Sequence, residues 1–414
     1  MNQSNFSIKI NRTLILLIGL FVTGTLFLLA KHNQSFSNKQ DSYEYAMIGL
    51  SIWAGEGIRY NGIPDVVLSP GLPMVIGAFQ KFHTNSKWSG IILCMFSFIL
   101  CLFFVKNIAE YFLGRTQYAW LCVLMFMTNS NILINASSGY SEMLFTLIFL
   151  TTVWTTTVCL NSRKYSVWKY VTFSFLCSWL YLIRPEGLII GIILFGWILF
   201  NENTHQLIVW IIPIVCFVLI FPYLLFLKQN TGRWQLSGKT YLNLVMGELQ
   251  SPYQRTDVSA YPSDRYRIID RTLADPSLAL GFSEYWKENK KNIIERIPTN
   301  LIKLGKIYWF TFSIIGLGLG VWGLYGVEVK KVCFLFSMLT VLLLLLIFFI
   351  LPRTVAVYHW IWMVFIAGGL RNVDQLLSIK LKWKYSNYLL YSLVMCVMVY
   401  QYRSVIKIVV GVIN

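Results

Sequence analysis

The sequence predicts an all-α, polytopic membrane protein, and three observations carry that prediction. Of 414 residues, 56% are hydrophobic and only 13% charged, whereas soluble domains are about a quarter charged. Runs of roughly 18 or more apolar residues recur along the chain, the length a membrane-crossing helix needs. The short links between those runs gather Lys and Arg, as cytoplasmic loops do.

Eleven spans are expected, near 13–30, 89–105, 118–134, 143–160, 169–183, 187–200, 207–227, 305–325, 332–350, 357–370 and 387–404. The first follows Lys9 and Arg12 and has no small-x-small cleavage site before Lys31, so it reads as an uncleaved helix. If eleven spans alternate, Lys106, Arg115, Arg163, Lys164, Lys330, Lys331 and the basic cluster of Arg371–Lys384 share one side with the N-terminus. The short loop Asn135–Tyr140 on the other side has no Lys or Arg. The positive-inside rule puts the N-terminus in the cytoplasm. Two long loops, about 31–88 and 228–303, then face outward. The chain reads as one integral membrane domain over 1–414, with no separate soluble domain.

The first outer loop holds a half-apolar segment, Asp41–Ala54, with Tyr45, Ile48 and Ile52 on one stripe. It is expected to form a helix lying in the interface, broken afterwards by Pro64, Pro70 and Pro73. The second outer loop ends in SEYWKENKKNIIERIP, a charged helix expected to stop at Pro298. The net charge of +17 is spread over links and the second loop, which suits anionic headgroups or a phosphate-bearing substrate and gives no case for nucleic acid. All eight Cys fall inside apolar segments and read as small buried residues. The four His are scattered without ligand spacing, so no histidine metal site is expected. A divalent metal held by carboxylates stays open, and no cofactor is otherwise indicated. No inverted repeat, phosphate-binding P-loop, H-E-x-x-H or nucleophile elbow is found.

Four groups can carry chemistry. Asp41 is either the cap of its helix, with Glu44 completing a capping box, or a proton acceptor. Glu142 opens the fourth span, where a carboxylate is costly without a cavity or a cationic partner. Two carboxylates from separate elements on one side of the membrane can orient and deprotonate a hydroxyl. Arg184-Pro185-Glu186 is either a local ion pair at a tight turn or part of the site. Arg353 either snorkels or binds phosphate through its planar fork. Lys239 is a further phosphate-binding candidate. Glu44, Tyr45, Ser69, Glu186 and Tyr358 are candidate supports. Trp53, Tyr60, Trp234, Tyr241, Tyr285 and Trp286 can stack on sugars or anchor loops.

Together these residues resemble the GT-C membrane glycosyltransferases, in particular the bacterial branch related to protein mannosyltransferases and lipid A aminoarabinose transferases. The resemblance rests on D-x-Y-x-Y from Asp41, followed by W-A-G-E-G-I and S-P-G-L-P. A-S-S-G-Y-S-E-M-L around Glu142, I-R-P-E-G around Arg184, and N-I-I-E-R-I-P before the eighth span complete it. It implies a GT-C-like bundle in the cytoplasmic (inner) membrane with an extracytoplasmic active site. It also implies a polyprenyl-phosphate sugar donor, and an acceptor hydroxyl on a lipid, glycan or protein. Asp41 would act at the reaction centre, Glu142 as second acid, and Arg353, Arg184 and Lys239 on the donor phosphate. Aminoarabinose-type relatives carry Lys before the first Pro of a P-P-L turn, where this chain has Ser69-Pro70-Gly71. That departure argues against aminoarabinose specificity and leaves one phosphate contact unassigned. The rival readings are a lipid-linked oligosaccharide polymerase or ligase, which leans on arginines, and a lipid-linked sugar transporter or flippase.

Overall fold

The structure is a computed structural model. It describes residues 19, 22–30, 41–81, 86–161, 166–200, 206–240, 243–244, 282–325, 327–348, 350–377, 392–393 and 396–403. The expected first and last spans, the links with Arg163, Lys164 and Lys380 to Lys384, Tyr241, and most of the second outer loop lie wholly or partly outside these residues. The described residues are helical apart from one two-residue ladder, as the composition predicts.

After the helical residues 22–30 come α1 (Asp41–Trp53), β1 (Arg59–Tyr60), β2 (Ile63–Pro64) and α2 (Gly71–Gln80). Next come α3 (Ser86–Leu113), α4 (Thr116–Thr128), α5 (Ser130–Ser138), α6 (Ser141–Asn161), α7 (Val167–Ile183) and α8 (Gly187–Leu199). The remainder is α9 (Gln206–Val209), α10 (Ile211–Thr231), α11 (Phe282–Gly323), α12 (Val329–Leu345), α13 (Pro352–Ala356) and α14 (His359–Gln375).

Among the described residues, four helices are long and apolar enough to cross a bilayer: Trp88–Leu113, Ser141–Asn161, Ile211–Thr231 and Asn289–Gly323. The bent pair α4 and α5 makes a fifth. Burial separates them into inner and outer members. In α6, 61% of the apolar window is buried, against 22% in α10, so α6 is the hub and α10 turns Phe217, Val218 and Phe221 outward. Apolar side chains on that scale need lipid, not water, against them. Helix α6 packs on α3 and α7, and α14 packs on α11 and α4.

Several expectations are corrected. The span expected over 118–134 is broken by a 60° bend between α4 and α5. Asn129 sits at the break with extended backbone, and its side chain accepts the Ile132 N–H at 3.2 Å as the cap of α5. Consequently the expected loop Asn135–Tyr140 is mostly helix, ending at Gly139, whose φ of 71° suits a residue without Cβ. Pro298 does not stop the charged helix: α11 runs through it to Gly323, with an internal break at Ser313 (φ 61°). Arg371 belongs to the last turns of α14, donating to the Leu113 carbonyl at 3.1 Å. Cys333 and Cys396 are exposed, unlike the five buried cysteines.

Helix α1 forms where expected, with one face packed on the bundle and Leu50 and Trp53 exposed on the other. Tyr45 and Ile48 are buried, and Gly49 meets Gly77 of α2 backbone to backbone. A Cβ on Gly49 would lie 2.5 Å from the Pro73 carbonyl oxygen, so only glycine allows this approach. Between α1 and α2, Asn61 (φ 50°) and Gly62 (φ 79°) form the two-residue turn of a hairpin pairing Tyr60 with Ile63. Replacing Gly49 with Leu should therefore lower the unfolding free energy in detergent by about 1–3 kcal/mol or more. Gly318→Ala, which meets nothing within 4 Å, should leave the thermal midpoint near wild type.

Candidate active site

The site is built where α1, the turn into α2, α5, the α7–α8 turn and α13 meet at one end of α6. The left-handed Gly139 ends α5 and lets the chain turn into α6, whose first turn carries Glu142. A Cβ on Gly139 would lie 3.3 Å from Ser42 Cβ, so the first turn of α1 rests on this link. The S-P-G-L-P turn arrives from the other side. Gly71 lies against the backbone of Leu182 and Ile183, immediately before Arg184. Arg184 caps the end of α7 in extended backbone, as the residue before a proline prefers, and Pro185-Glu186 turns the chain into α8. Helix α13, with Pro352 at its first position, delivers Arg353.

Glu142 is the centre. Its side chain is 4% exposed, and its Oε1 lies 3.0 Å from Arg184 Nη1 and 3.4 Å from Arg353 Nε. Arg184 Nε also meets Glu186 Oε1 at 2.5 Å. Two carboxylates and two guanidiniums thus form a compact, formally neutral group. Asn135 Nδ2 donates to the Arg353 carbonyl at 2.9 Å, tying α13 to α5. The Arg353 guanidinium stands 4.7 Å from the Tyr140 ring centroid, a cation–π contact. Arg353 keeps 33% of its side chain exposed against 17% for Arg184, so Arg353 is the cation a ligand reaches first. Tyr358 is 1% exposed, within the field of Glu186 and Arg184, and its hydroxyl has no hydrogen-bond partner among the described residues.

The sequence candidates divide accordingly. Glu142, Arg184, Glu186, Arg353 and Tyr358 come together. Tyr45 is buried within the field of Arg184. The backbone of Asp41 opens α1 beside Ser42, while its side chain lies outside the described residues. Glu44 is half-buried on α1, and Ser69 is buried in the turn that rests on α7. Lys239 lies in the field of a different acid, Asp65, which the sequence reading had passed over. Gly238 approaches the Val66 carbonyl closely enough to bring these two residues together. Burial pushes the Asp65 carboxyl above its ordinary value, opposed by the Leu68 and Val67 N–H groups and the Lys239 ammonium. Of the outer aromatics, Trp53 donates its indole N–H to the Met74 carbonyl at 2.8 Å and Trp234 stacks on Phe221, so both serve as loop anchors.

Tyr140 and Asn135 were also missed. Tyr140 lay in view as an aromatic two residues before the buried acid. Among the described residues, no group of three or more His, Cys, Asp or Glu is placed to hold a metal ion.

No protein-family model matches the chain, and no curated protein matches it. Among solved structures it is similar to ArnT from Cupriavidus metallidurans in the apo state. The TM-score is 0.41 and the identity 12%, over 94% of this chain and 84% of that one. It is similar also to ArnT from the same organism bound to undecaprenyl phosphate, with TM-score 0.40 and 11% identity over 93% and 84%.

Removing one partner from a buried ion pair costs about 3–5 kcal/mol, because the other charge stays behind unpaired. Glu142→Gln should therefore destabilise the folded protein by that order. Adding Arg353→Met to Glu142→Gln should cost less than the sum of the two single changes. Thermal melts of the three variants in one detergent give the comparison.

Proposed function

We propose that the protein transfers a sugar from a polyprenyl-phosphate carrier to an acceptor hydroxyl at the outer face of the cytoplasmic membrane, as a single domain with a cytoplasmic N-terminus. The observation that carries this reading is the pair Arg184 and Arg353 converging on one buried carboxylate at the end of α6. The first turn of α1, in the D-x-Y-x-Y segment, rests on the Gly139 link into α6, and Tyr45 lies in the field of Arg184. Two forked cations held at a fixed spacing suit a phosphate that gains charge as it leaves.

In the reaction the acceptor oxygen attacks the anomeric carbon and its proton passes to Asp41. The bond from that carbon to the carrier's phosphate oxygen breaks with its electron pair, leaving polyprenyl phosphate. Inversion at carbon is what the family resemblance implies. Glu142 is already shared by two arginines and is a poor proton acceptor in that state. Its part is to hold both guanidiniums in place, which refines the acceptor-orienting role expected from sequence. The carrier's tail has an apolar groove of about 260 Å³ between α7, α8 and α10, lined by Cys177, Gly191, Pro213, Cys216, Phe217 and Ile220. That groove reaches Tyr181 and Leu236, three residues before Lys239, so a headgroup at its mouth lies near a further cation.

Asp41→Asn, assayed in membranes with a labelled polyprenyl-phosphate sugar and no nucleotide, should lower kcat by about 10²–10⁴-fold, the usual worth of a positioned base. Arg353→Ala should raise KM for the donor by about tenfold or more, with a smaller effect on kcat. Full activity of a folded Asn variant would remove Asp41 from the mechanism. Because the cluster is rich in arginine, that result would favour the polymerase or ligase reading with a diphosphate donor.

A further inference from the structure

Glu142 marks one end of α6, and the other end borders a cavity that the site above does not use. From Glu142 to Asn161 the helix rises about 28 Å, against about 30 Å for a hydrocarbon core. The two ends of this span therefore belong to opposite interfaces of the membrane. At the far end a cavity of about 320 Å³ lies between α3, α6, α8 and α12.

Its walls differ in chemistry. One is aromatic: the Phe334 ring lies 5.8 Å from Phe112 and 5.4 Å, edge-on, from Trp197. Trp197 is fixed through its indole N–H, which donates to Ser337 Oγ at 3.0 Å. On α6 the polar groups are spent within the helix, Thr157 Oγ1 donating to the Trp154 carbonyl and Asn161 Nδ2 to the Thr157 carbonyl. The remaining wall is the start of α12, with Glu328, Lys330 and Lys331.

Lys331 is held in place rather than left to water. Its Nζ donates to the Tyr111 carbonyl at 3.3 Å and stands 4.9 Å from the Tyr111 ring centroid. The Glu328 carboxylate is 4.0 Å away, and 30% of the lysine side chain is exposed, against 86% for Lys291. An ammonium has three donors. The Tyr111 carbonyl takes one, and a carboxylate at 4.0 Å is too far for a hydrogen bond. Two lysines against one carboxylate leave this rim net positive.

The cavity also has an apolar outlet. Trp197 lines a second groove with Ile193, Gly196 and Phe200 along α8. Phe200 is exposed, and a Cβ on Gly196 would meet nothing within 4 Å. A cationic rim, an aromatic wall and an apolar outlet follow one another as the parts of a phospholipid do.

We infer that this cavity binds a glycerophospholipid of the leaflet opposite Glu142. The phosphodiester sits on Lys330 and Lys331, and an acyl chain leaves past Trp197 along Gly196. The site shares no residue with the ion cluster and is independent of sugar transfer. Phosphatidylglycerol and phosphatidylethanolamine share that phosphodiester, and the test separates them.

The full-length protein in maltoside micelles is melted with either lipid added. At least one should raise the wild-type midpoint, and the lipid effective at the lower concentration identifies the headgroup. Lys330→Gln combined with Lys331→Gln should weaken the apparent lipid affinity about tenfold or more. Gly196→Leu fills the outlet and should weaken it comparably. Its lipid-free midpoint should lie at or above wild type, since a better helix former replaces a glycine. If the lysine variant fails to fold, the Gly196 variant decides. No response of the wild type to either lipid, or a response of either folded variant equal to wild type, would overturn the inference.

Discussion

The carboxylate of Glu142, held between Arg184 and Arg353, fixes more of the architecture than any other polar contact described. An ionised acid with 4% of its side chain exposed demands compensation, and the cluster that supplies it draws on three separate parts of the chain. Helix α6 supplies the acid, the α7–α8 turn one guanidinium, and α13 the other. Each of those elements has its own reason to be there. Gly139 permits the entry to α6, Pro185 forces the turn after α7, and Pro352 starts α13. The ion cluster converts three local decisions into one geometry. Its effect is specificity of arrangement more than net stability, since burying four charges costs about as much as their attraction returns.

The apolar packing around the cluster follows the same economy of approach. Helices come together where side chains are absent: Gly49 against Gly77 under the first loop, and Gly323 and Gly369 between α11 and α14. In lipid there is little hydrophobic drive between helices, so close backbone contact and shared polar groups do the holding. The buried Asn residues act in the same sense. Asn135 ties α13 to α5, and Asn300 reaches the carbonyls of Leu346 and Phe348.

Hydropathy made the helical class and most span positions readable, because α3, α6, α10 and the second half of α11 are long and apolar without interruption. The acids and bases at the ends of spans were equally visible, since a charge beside an apolar run stands out. Three things were not. The M-T-N-S-N stretch at 127–131 carries a break, yet hydropathy averaged over a window absorbs two asparagines. Pro298 reads as a helix stop, but α11 runs through it, with Ile297 packed against Leu346, Ile350 and Val355. The pair Asn61-Gly62 is a strong hairpin signal that went unread among the surrounding prolines. The Glu142 contacts with both arginines were beyond reach altogether: which of several cations meets a given acid depends on helix crossing, and no local pattern encodes it.

The bend at Asn129 has a consequence for where encounters take place. Helix α4 climbs about 20 Å in 13 residues. Helix α5, nine residues inclined at 60° to it, adds about 7 Å more. Together they rise about 27 Å, against about 30 Å for a hydrocarbon core, so the link that carries Glu142 lies at one end of that rise. On the function proposed above, a lipid-tethered donor reaches Glu142 by lateral diffusion within its leaflet. Occupancy is then governed by mole fraction in the leaflet, not by bulk molarity. Dilution into excess detergent empties such a site even when total concentration is unchanged.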